Sequence, residues 1–97
     1  MRAWSEAKKV LAGGVNSPVR AFKAVGGTPL FMKSAKGARL YDRRGRSYID
    51  YCLSWGAVIH GHADPPYVRA VKRQDSRGAY FGTVTEAETA HAKAFRM

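Results

Sequence analysis

Three short stretches of alternating apolar and polar residues constrain the fold of this chain most. They are residues 30–34, 38–42 and 47–54. Each is rich in Phe, Tyr, Leu or Ile, and turn residues separate them, which is typical of short β-strands. Lys36-Gly37 supplies the first turn, and residues 42–45 (DRRG) begin with aspartate and end with glycine, as a type I turn favours. The pattern predicts a three-stranded antiparallel meander.

One short helix is predicted before the meander, over residues 5–12. Ser5 is a good N-cap, Gly13 stands where a C-terminal cap would be, and Trp4 is expected to pack at the start of the helix.

Two more helices are predicted after the meander. Asp64 stands as an N-cap before Pro65, and the helix is expected to run to about Arg77, where Gly78 ends it. Residues 85–88 (TEAE) form a capping-box pattern that begins the last helix. The predicted fold is therefore α+β, with a helix, an antiparallel meander and two helices.

The charge of the chain is strongly positive. It has 17 Lys and Arg against 7 Asp and Glu, a formal net charge of +10, which attracts polyanions without selectivity. No recognised nucleic-acid-binding motif accompanies these residues, so a specific nucleic-acid partner is not expected.

The single cysteine, Cys52, excludes an intrachain disulfide framework and favours a reducing compartment. No apolar run approaches the roughly 18 residues of a membrane span, and the N-terminus lacks the apolar region of a secretory signal. These features predict a cytoplasmic protein without a membrane partner. Cys52 lies within the third predicted strand and is interpreted as a packed thiol rather than a nucleophile.

Residues 13–22 (GGVNSPVRAF) predict a shaped loop. Its paired glycines permit backbone angles that other residues avoid, and Pro18 holds Ser17 extended. Arg20 would then be presented rigidly, and its planar guanidinium matches the two oxygens of a carboxylate or phosphate. The alternative is that the glycines only cap the preceding helix and that Arg20 is a solvated surface residue.

Several motifs in the first half of the chain resemble the glutamate-1-semialdehyde 2,1-aminomutase family, which is of the class III pyridoxal-phosphate-dependent aminotransferase type. They are residues 13–22 (GGVNSPVRAF), 26–31 (GGTPLF), 36–38 (KGA), 41–42 (YD), 48–51 (YIDY) and 54–56 (SWG). The resemblance covers nearly the whole chain, but only the N-terminal segment of that fold-type I enzyme, which is α/β when complete. It implies three parts. Residues 1–29 would hold the helix and substrate-binding loop, residues 30–56 the meander, and residues 57–97 the helices that lead into a large domain.

The resemblance also implies roles for three residues. Arg20 would hold the carboxylate of a small amino-acid substrate, Ser17 would lie beside it, and Trp55 would line the substrate pocket. For Trp55 the alternative is a core aromatic at the end of the third strand.

The family uses pyridoxal 5'-phosphate, whose Schiff-base lysine, ring-nitrogen partner and phosphate cup come from the large domain. No lysine of this chain matches that position, so no catalytic or cofactor-binding residue is assigned. By itself the chain is not expected to bind the cofactor or to be active. The family further implies a homodimer and a product, 5-aminolevulinate, that serves tetrapyrrole biosynthesis.

The spacing His60-x-His62-x-Asp64 is similar to the start of a zinc-binding loop. A zinc site needs further ligands from elsewhere, and the only other histidine is His91. No metal site is therefore expected.

Two other interpretations remain open. The last helix reaches Met97 without a stop signal, and polar residues 74–76 (QDS) weaken the preceding helix, which would suit an inert truncated remnant. The positive charge would suit a small basic nucleic-acid-binding protein, whose affinity would fall steeply with salt.

Overall fold

The structure is a computed structural model that describes residues 2–96, and it consists of two compact units that divide between Asp64 and Pro65. The first unit contains helix α1, two short 3₁₀ turns and a three-stranded sheet, and the second contains helices α2 and α3. The predicted α+β order of elements is confirmed. The predicted three-part division of the chain stays a prediction.

Helix α1 spans Arg2–Val10, so it begins before the predicted residue 5. Ser5 lies inside the helix, and its prediction as the N-cap was wrong. Arg2 and Ala3 are good helix formers, and they extend the helix by a further turn before Ser5. The helix ends because Leu11 is extended, with φ −120°. Gly13 was also wrong as the C-terminal cap, since it lies in the following 3₁₀ turn, Ala12–Gly14.

The sheet comprises β1 (Met32–Lys36), β2 (Arg39–Asp42) and β3 (Ser47–Ile49) in the order β1-β2-β3, with both pairs antiparallel. This confirms the predicted meander, although β1 lies two residues later than the predicted 30–34. Lys36 was predicted in the first turn and is instead the last residue of β1, because it pairs with Arg39. The pairing of Lys36 with Arg39 leaves a two-residue turn in which Gly37 has φ 55°, a conformation that favours glycine.

The turn between β2 and β3 is organised by Asp42, whose residue surface is only 4% exposed. Its Oδ1 accepts hydrogen bonds from the Arg44 and Arg46 amides, at 2.8 and 3.0 Å. Its Oδ2 accepts from Arg46 Nε at 2.8 Å and from Tyr48 Oη at 3.1 Å. Burial by itself would raise the pKa of Asp42, but these hydrogen bonds, that of the Arg46 side chain foremost, lower the pKa to about 2. The predicted turn with aspartate first is confirmed, and Gly45 has φ 80°.

Strand β3 ends at Ile49, whereas the alternating pattern predicted a strand to residue 54. The reason is Asp50, whose Oδ1 accepts hydrogen bonds from the amides of Cys52 and Leu53 and bends the chain into a turn. Cys52 is exposed in this turn, so the interpretation of a thiol packed within a strand was wrong.

In the second unit, α2 spans Pro65–Asp75 and α3 spans Glu86–Phe95. Helix α2 starts at Pro65 as predicted and ends two residues before the predicted Arg77. The capping box of α3 is confirmed, because Thr85 and Glu88 exchange hydrogen bonds between side chain and backbone. The predicted continuation of this helix to Met97 lies outside the described residues.

Little apolar surface is buried in either unit. Among residues 2–96, Ala21 is the buried hydrophobic residue, and no large side chain is fully buried. Neither α2 nor α3 contains a buried residue. The described elements are therefore stabilised mainly by local hydrogen bonds, and broad apolar faces remain exposed. No described helix has both the length and the apolar character of a membrane-spanning segment.

Candidate functional site

The loop of residues 13–22 has a defined backbone. Pro18 begins a 3₁₀ turn, Pro18–Ala21, and Ser17 before it is extended, with φ −149° and ψ 128°, as predicted. The Arg20 amide donates to the Ser17 carbonyl at 3.0 Å, and Phe22 ends the turn in the left-handed region, with φ 59°. Ser17 and Arg20 are thus on one closed turn, and their separation is fixed by the backbone.

The Arg20 side chain is oriented by its own loop. Its Nη1 donates a hydrogen bond to Asn16 Oδ1 at 2.9 Å, and both side chains are exposed. A guanidinium carries five N–H donors, so this bond fixes its direction while leaving donor capacity for a ligand. Arg20 also borders a groove whose walls are largely apolar and include Trp4, Phe31 and Met32. Such a groove suits a molecule with a carboxylate at one end and an aliphatic chain.

Ser17 lines an adjacent groove on the same loop, with Gly13, Pro18 and Lys23 among its other walls. Val15 and Asn16 border both grooves. The structure therefore brings two of the three predicted site residues, Ser17 and Arg20, to neighbouring surfaces.

Trp55 is placed differently from the prediction, since it lies in a turn six residues beyond the end of β3. Leu53, Ser54 and Trp55 have φ values of 47°, 52° and 56°, and Gly56 follows with φ 90°. For a residue other than glycine this left-handed conformation costs roughly 1–2 kcal/mol. Backbone outliers of this kind cluster at functional sites.

The Trp55 side chain lies open to solvent, since the residue is 70% exposed, so it is not a core aromatic within this chain. Neither groove that contains Ser17 or Arg20 includes Trp55. The described chain does not bring Trp55 together with the other two predicted residues.

A partly buried pair that sequence reasoning missed lies beside this turn. His62 Nε2 is 2.6 Å from Asp50 Oδ2, and their side chains are 19% and 6% exposed. The hydrogen bond from His62, followed by that from the Leu53 amide, holds the pKa of Asp50 below its usual range. Because an ionised carboxylate can only accept, His62 Nε2 is the donor of this bond whenever Asp50 is ionised.

The sequence did contain a signal for this pair, since Asp50 stands at a polar position of an apolar-rich strand and His62 lies between two small residues. The spacing of His60, His62 and Asp64 is instead similar to that of metal ligands. Among the described residues, no group of three or more His, Cys, Asp or Glu side chains could hold a metal ion.

The residues present do not form a pyridoxal-phosphate site. Such a site holds its lysine in a pocket with a carboxylate and phosphate donors nearby. Every lysine of the described chain is exposed. No residue of this chain is therefore assigned to the cofactor.

The sequence from residue 22 onward matches a known family. The class-III aminotransferase family matches residues 22–94, and the chain belongs to this family.

Within the family, the chain is similar in sequence to enzymes named glutamate-1-semialdehyde 2,1-aminomutase. It is 60% identical over 86 residues to that of Flavobacterium johnsoniae, covering 89% of this chain and 20% of the relative. It is 56% identical over 92 residues to one from Listeria monocytogenes, covering 95% of this chain and 21% of the relative.

Solved structures that superimpose on this chain include a transaminase and a glutamate-1-semialdehyde aminomutase. A transaminase with PLP bound superimposes with a TM-score of 0.83 at 32% identity, over 96% of this chain and 21% of that one. A glutamate-1-semialdehyde aminomutase from Pseudomonas aeruginosa gives 0.79 at 31% identity, over 91% and 19%. A variant of that enzyme, solved in complex with PMP, gives 0.80 at 31% identity, with the same coverage. The chain thus spans about one fifth of the length of its relatives, and these matches support its interpretation as an N-terminal part of such an enzyme.

Proposed function

We propose that this chain is the N-terminal part of a glutamate-1-semialdehyde 2,1-aminomutase, which would convert glutamate-1-semialdehyde to 5-aminolevulinate for tetrapyrrole synthesis. The observation that carries the proposal is the high identity to relatives of that name, 60% and 56%. The solved structures do not separate the two enzyme types, because two transaminases are 32% and 35% identical to this chain and a glutamate-1-semialdehyde aminomutase is 31% identical.

In this proposal Arg20 binds the substrate carboxylate. Its guanidinium offers two parallel N–H donors to the two carboxylate oxygens, and the bond to Asn16 orients that fork. The five-carbon chain of the substrate would extend along the apolar wall formed by Phe31 and Met32. Holding one end of the substrate in this way orients its reacting carbons and removes part of the entropic barrier.

Ser17 would add a hydroxyl beside the same carboxylate, because it lies on the turn that carries Arg20. Trp55 would form part of the pocket wall, and its exposed indole is available for that contact. Both roles act through binding and orientation, since neither residue is proposed to transfer a proton.

The cofactor, pyridoxal or pyridoxamine phosphate, would supply the amino-group chemistry, and two structural relatives are solved with these molecules. Because the described lysines are exposed, we propose that residues outside this chain hold it. The homodimer and the cytoplasmic location implied by the resemblance stay predictions.

A chimeric enzyme tests the proposal directly. The matched 86-residue segment of the Flavobacterium johnsoniae enzyme would be replaced by the corresponding residues of this chain. We expect the chimera to bind pyridoxal phosphate, which its absorbance reports, and to form 5-aminolevulinate at a rate near that of the parent.

The matched control is the same chimera with Arg20→Ala, which should keep the cofactor absorbance and lose most of the activity. A chimera that binds cofactor but forms no 5-aminolevulinate would refute the proposed substrate. Loss of both cofactor and solubility would instead show that this segment does not fit the aminomutase scaffold.

A further inference from the structure

The carboxylate of Asp50 connects the two ends of the segment that carries Trp55. Its Oδ1 accepts from the amides of Cys52 and Leu53, at 2.9 and 3.0 Å, at the start of the segment. Its Oδ2 lies 2.6 Å from Nε2 of His62, at the end of the segment. The Asp50 side chain is 6% exposed, so little water competes for these bonds.

His62 is itself fixed to the sheet. Its amide donates to the Gly37 carbonyl and its carbonyl accepts from the Gly37 amide, both at 2.9 Å. The approach is close, since a Cβ on Gly61 would lie 3.2 Å from the Gly37 oxygen. The Asp50 amide donates to the Ala38 carbonyl at 2.9 Å, so both members of the pair are anchored on the same two-residue turn.

The turn between these anchors holds an unfavourable backbone. Leu53, Ser54 and Trp55 are all left-handed, and no glycine is among them. Within the turn, the Trp55 amide donates to the Cys52 carbonyl at 2.9 Å, and the Gly56 and Val58 amides donate to the Leu53 carbonyl at 3.1 Å. Because Trp55 is 70% exposed, the direction of its indole depends on this backbone rather than on packing within the chain.

From this geometry we infer that Asp50 and His62 are positioning residues, which maintain the left-handed turn and thereby direct Trp55 toward the substrate. The inference rests on the proposed function for the pocket role of Trp55. This role requires the Asp50 carboxylate to accept three hydrogen bonds. Two come from amides of the turn, and one comes from His62, which the sheet holds in place. His62 acts only through this bond and touches no reacting atom.

The test uses the chimeric enzyme with three substitutions. His62→Ala removes the donor to Asp50, His62→Gln supplies an amide donor in its place, and His60→Ala is the matched control at an exposed histidine two residues away. For His62→Ala we expect kcat/KM to fall about 10-fold, mainly through KM, because a misdirected pocket wall weakens substrate binding. His62→Gln should recover most of the loss, and His60→Ala should match the parent chimera.

Hydrogen–deuterium exchange separates positioning from a general loss of structure. In His62→Ala, amides of residues 51–58 should exchange faster, while those of the hairpin, residues 39–49, should keep their protection. Faster exchange throughout both segments would mean that the pair supports the whole sheet, and the inference would be wrong. Unchanged exchange at residues 51–58 would also overturn it.

A double-mutant cycle tests whether His62 acts through Trp55. In a Trp55→Ala background, His62→Ala should cause little further loss of kcat/KM. Full additivity would overturn the positioning role. If the parent chimera formed no 5-aminolevulinate, the proposed function would fail, while the exchange measurement would still decide whether the pair maintains the turn.

Discussion

Arg20 Nη1 donates a hydrogen bond to Asn16 Oδ1 at 2.9 Å, across a single turn of the loop that presents both side chains. The donor and acceptor are four residues apart and exposed, so the bond orients the guanidinium without burying it. An arginine oriented from within its own loop is suited to a planar, two-oxygen ligand.

Arg20→Lys in the chimeric enzyme should therefore lower kcat/KM by about 10- to 100-fold, because a hydrogen bond to a charged group contributes about 1.5–3 kcal/mol. Lysine keeps the positive charge but lacks the planar pair of N–H donors that a guanidinium offers. Asn16→Ala should have a smaller effect in the same direction. Steady-state kinetics with glutamate-1-semialdehyde measures both, and Val19→Ala serves as the control, because Val19 is on the same loop, is 67% exposed and lines neither groove. Equal kcat/KM for Arg20→Lys and the parent would exclude the carboxylate clamp.

Gly14→Ala should destabilise the contact between α1 and the loop. A Cβ at Gly14 would lie 2.5 Å from Trp4 Cζ3 and 2.9 Å from Lys8 Cγ, and the residue has φ 78°. Overpacking of this kind costs typically about 1–3 kcal/mol. The free energy of unfolding, measured by urea titration of the chimera, should fall accordingly.

Gly13→Ala is the matched control, because Gly13 has a similar φ of 66° but no atom within 4 Å of an added Cβ. The Gly13→Ala variant has the same unfavourable backbone conformation but no steric clash. It should therefore lower the free energy of unfolding less than Gly14→Ala does. Trp4→Ala should relieve part of the Gly14→Ala defect. If both glycine variants lost the same stability, the close approach of Trp4 would not be the cause.

Asp42 should titrate near pH 2, since its pKa is lowered from 3.8 to about 2. A carboxylate whose folded pKa lies below its unfolded value stabilises the fold above that unfolded value, and the contribution is lost as the pH falls toward the folded pKa. Acid should therefore loosen the hairpin between about pH 4 and 2. Carbon NMR of the Asp42 carboxyl group measures the midpoint.

Two arginine variants isolate the cause of this shift. Arg46→Ala removes the side-chain bond and should move the midpoint toward 3.8. Arg44 contributes through its backbone amide, so Arg44→Ala should leave the midpoint almost unchanged. A midpoint that moved equally in both variants would point to the general positive charge of the hairpin instead of the Arg46 contact.

Thr85→Ala should weaken α3, because Thr85 Oγ1 accepts from the Glu88 amide and the Thr85 amide donates to Glu88 Oε2 at 3.2 Å. Loss of an N-cap costs about 0.5–2 kcal/mol. Circular dichroism of a peptide of residues 83–96 should show lower helix content for this variant. Thr83→Ala, two residues before the cap, should not change the content, and equal helicity in all three peptides would show that the capping box contributes nothing.

Local patterns predicted the features that depend on neighbouring residues. The antiparallel meander, the turn that begins at Asp42 and the capping box at Thr85 each follow from contacts within a few residues. The errors fell where a local rule competed with another interaction. Ser5 is a residue type that favours the N-cap, but the helix starts before it. The alternating pattern continues to residue 54, but the Asp50 side chain ends the strand at Ile49.

The sequence by itself determined the order of the elements and the loop that carries Ser17 and Arg20, because proline, glycine and alternating apolar residues restrict the backbone directly. The tertiary structure alone decided the pairing of Asp50 with His62, twelve residues apart, and the left-handed turn of Trp55 between them. The physical reason is that a hydrogen bond between distant residues depends on how the sheet and the following loop are joined. That geometry is not encoded in any short stretch of residues.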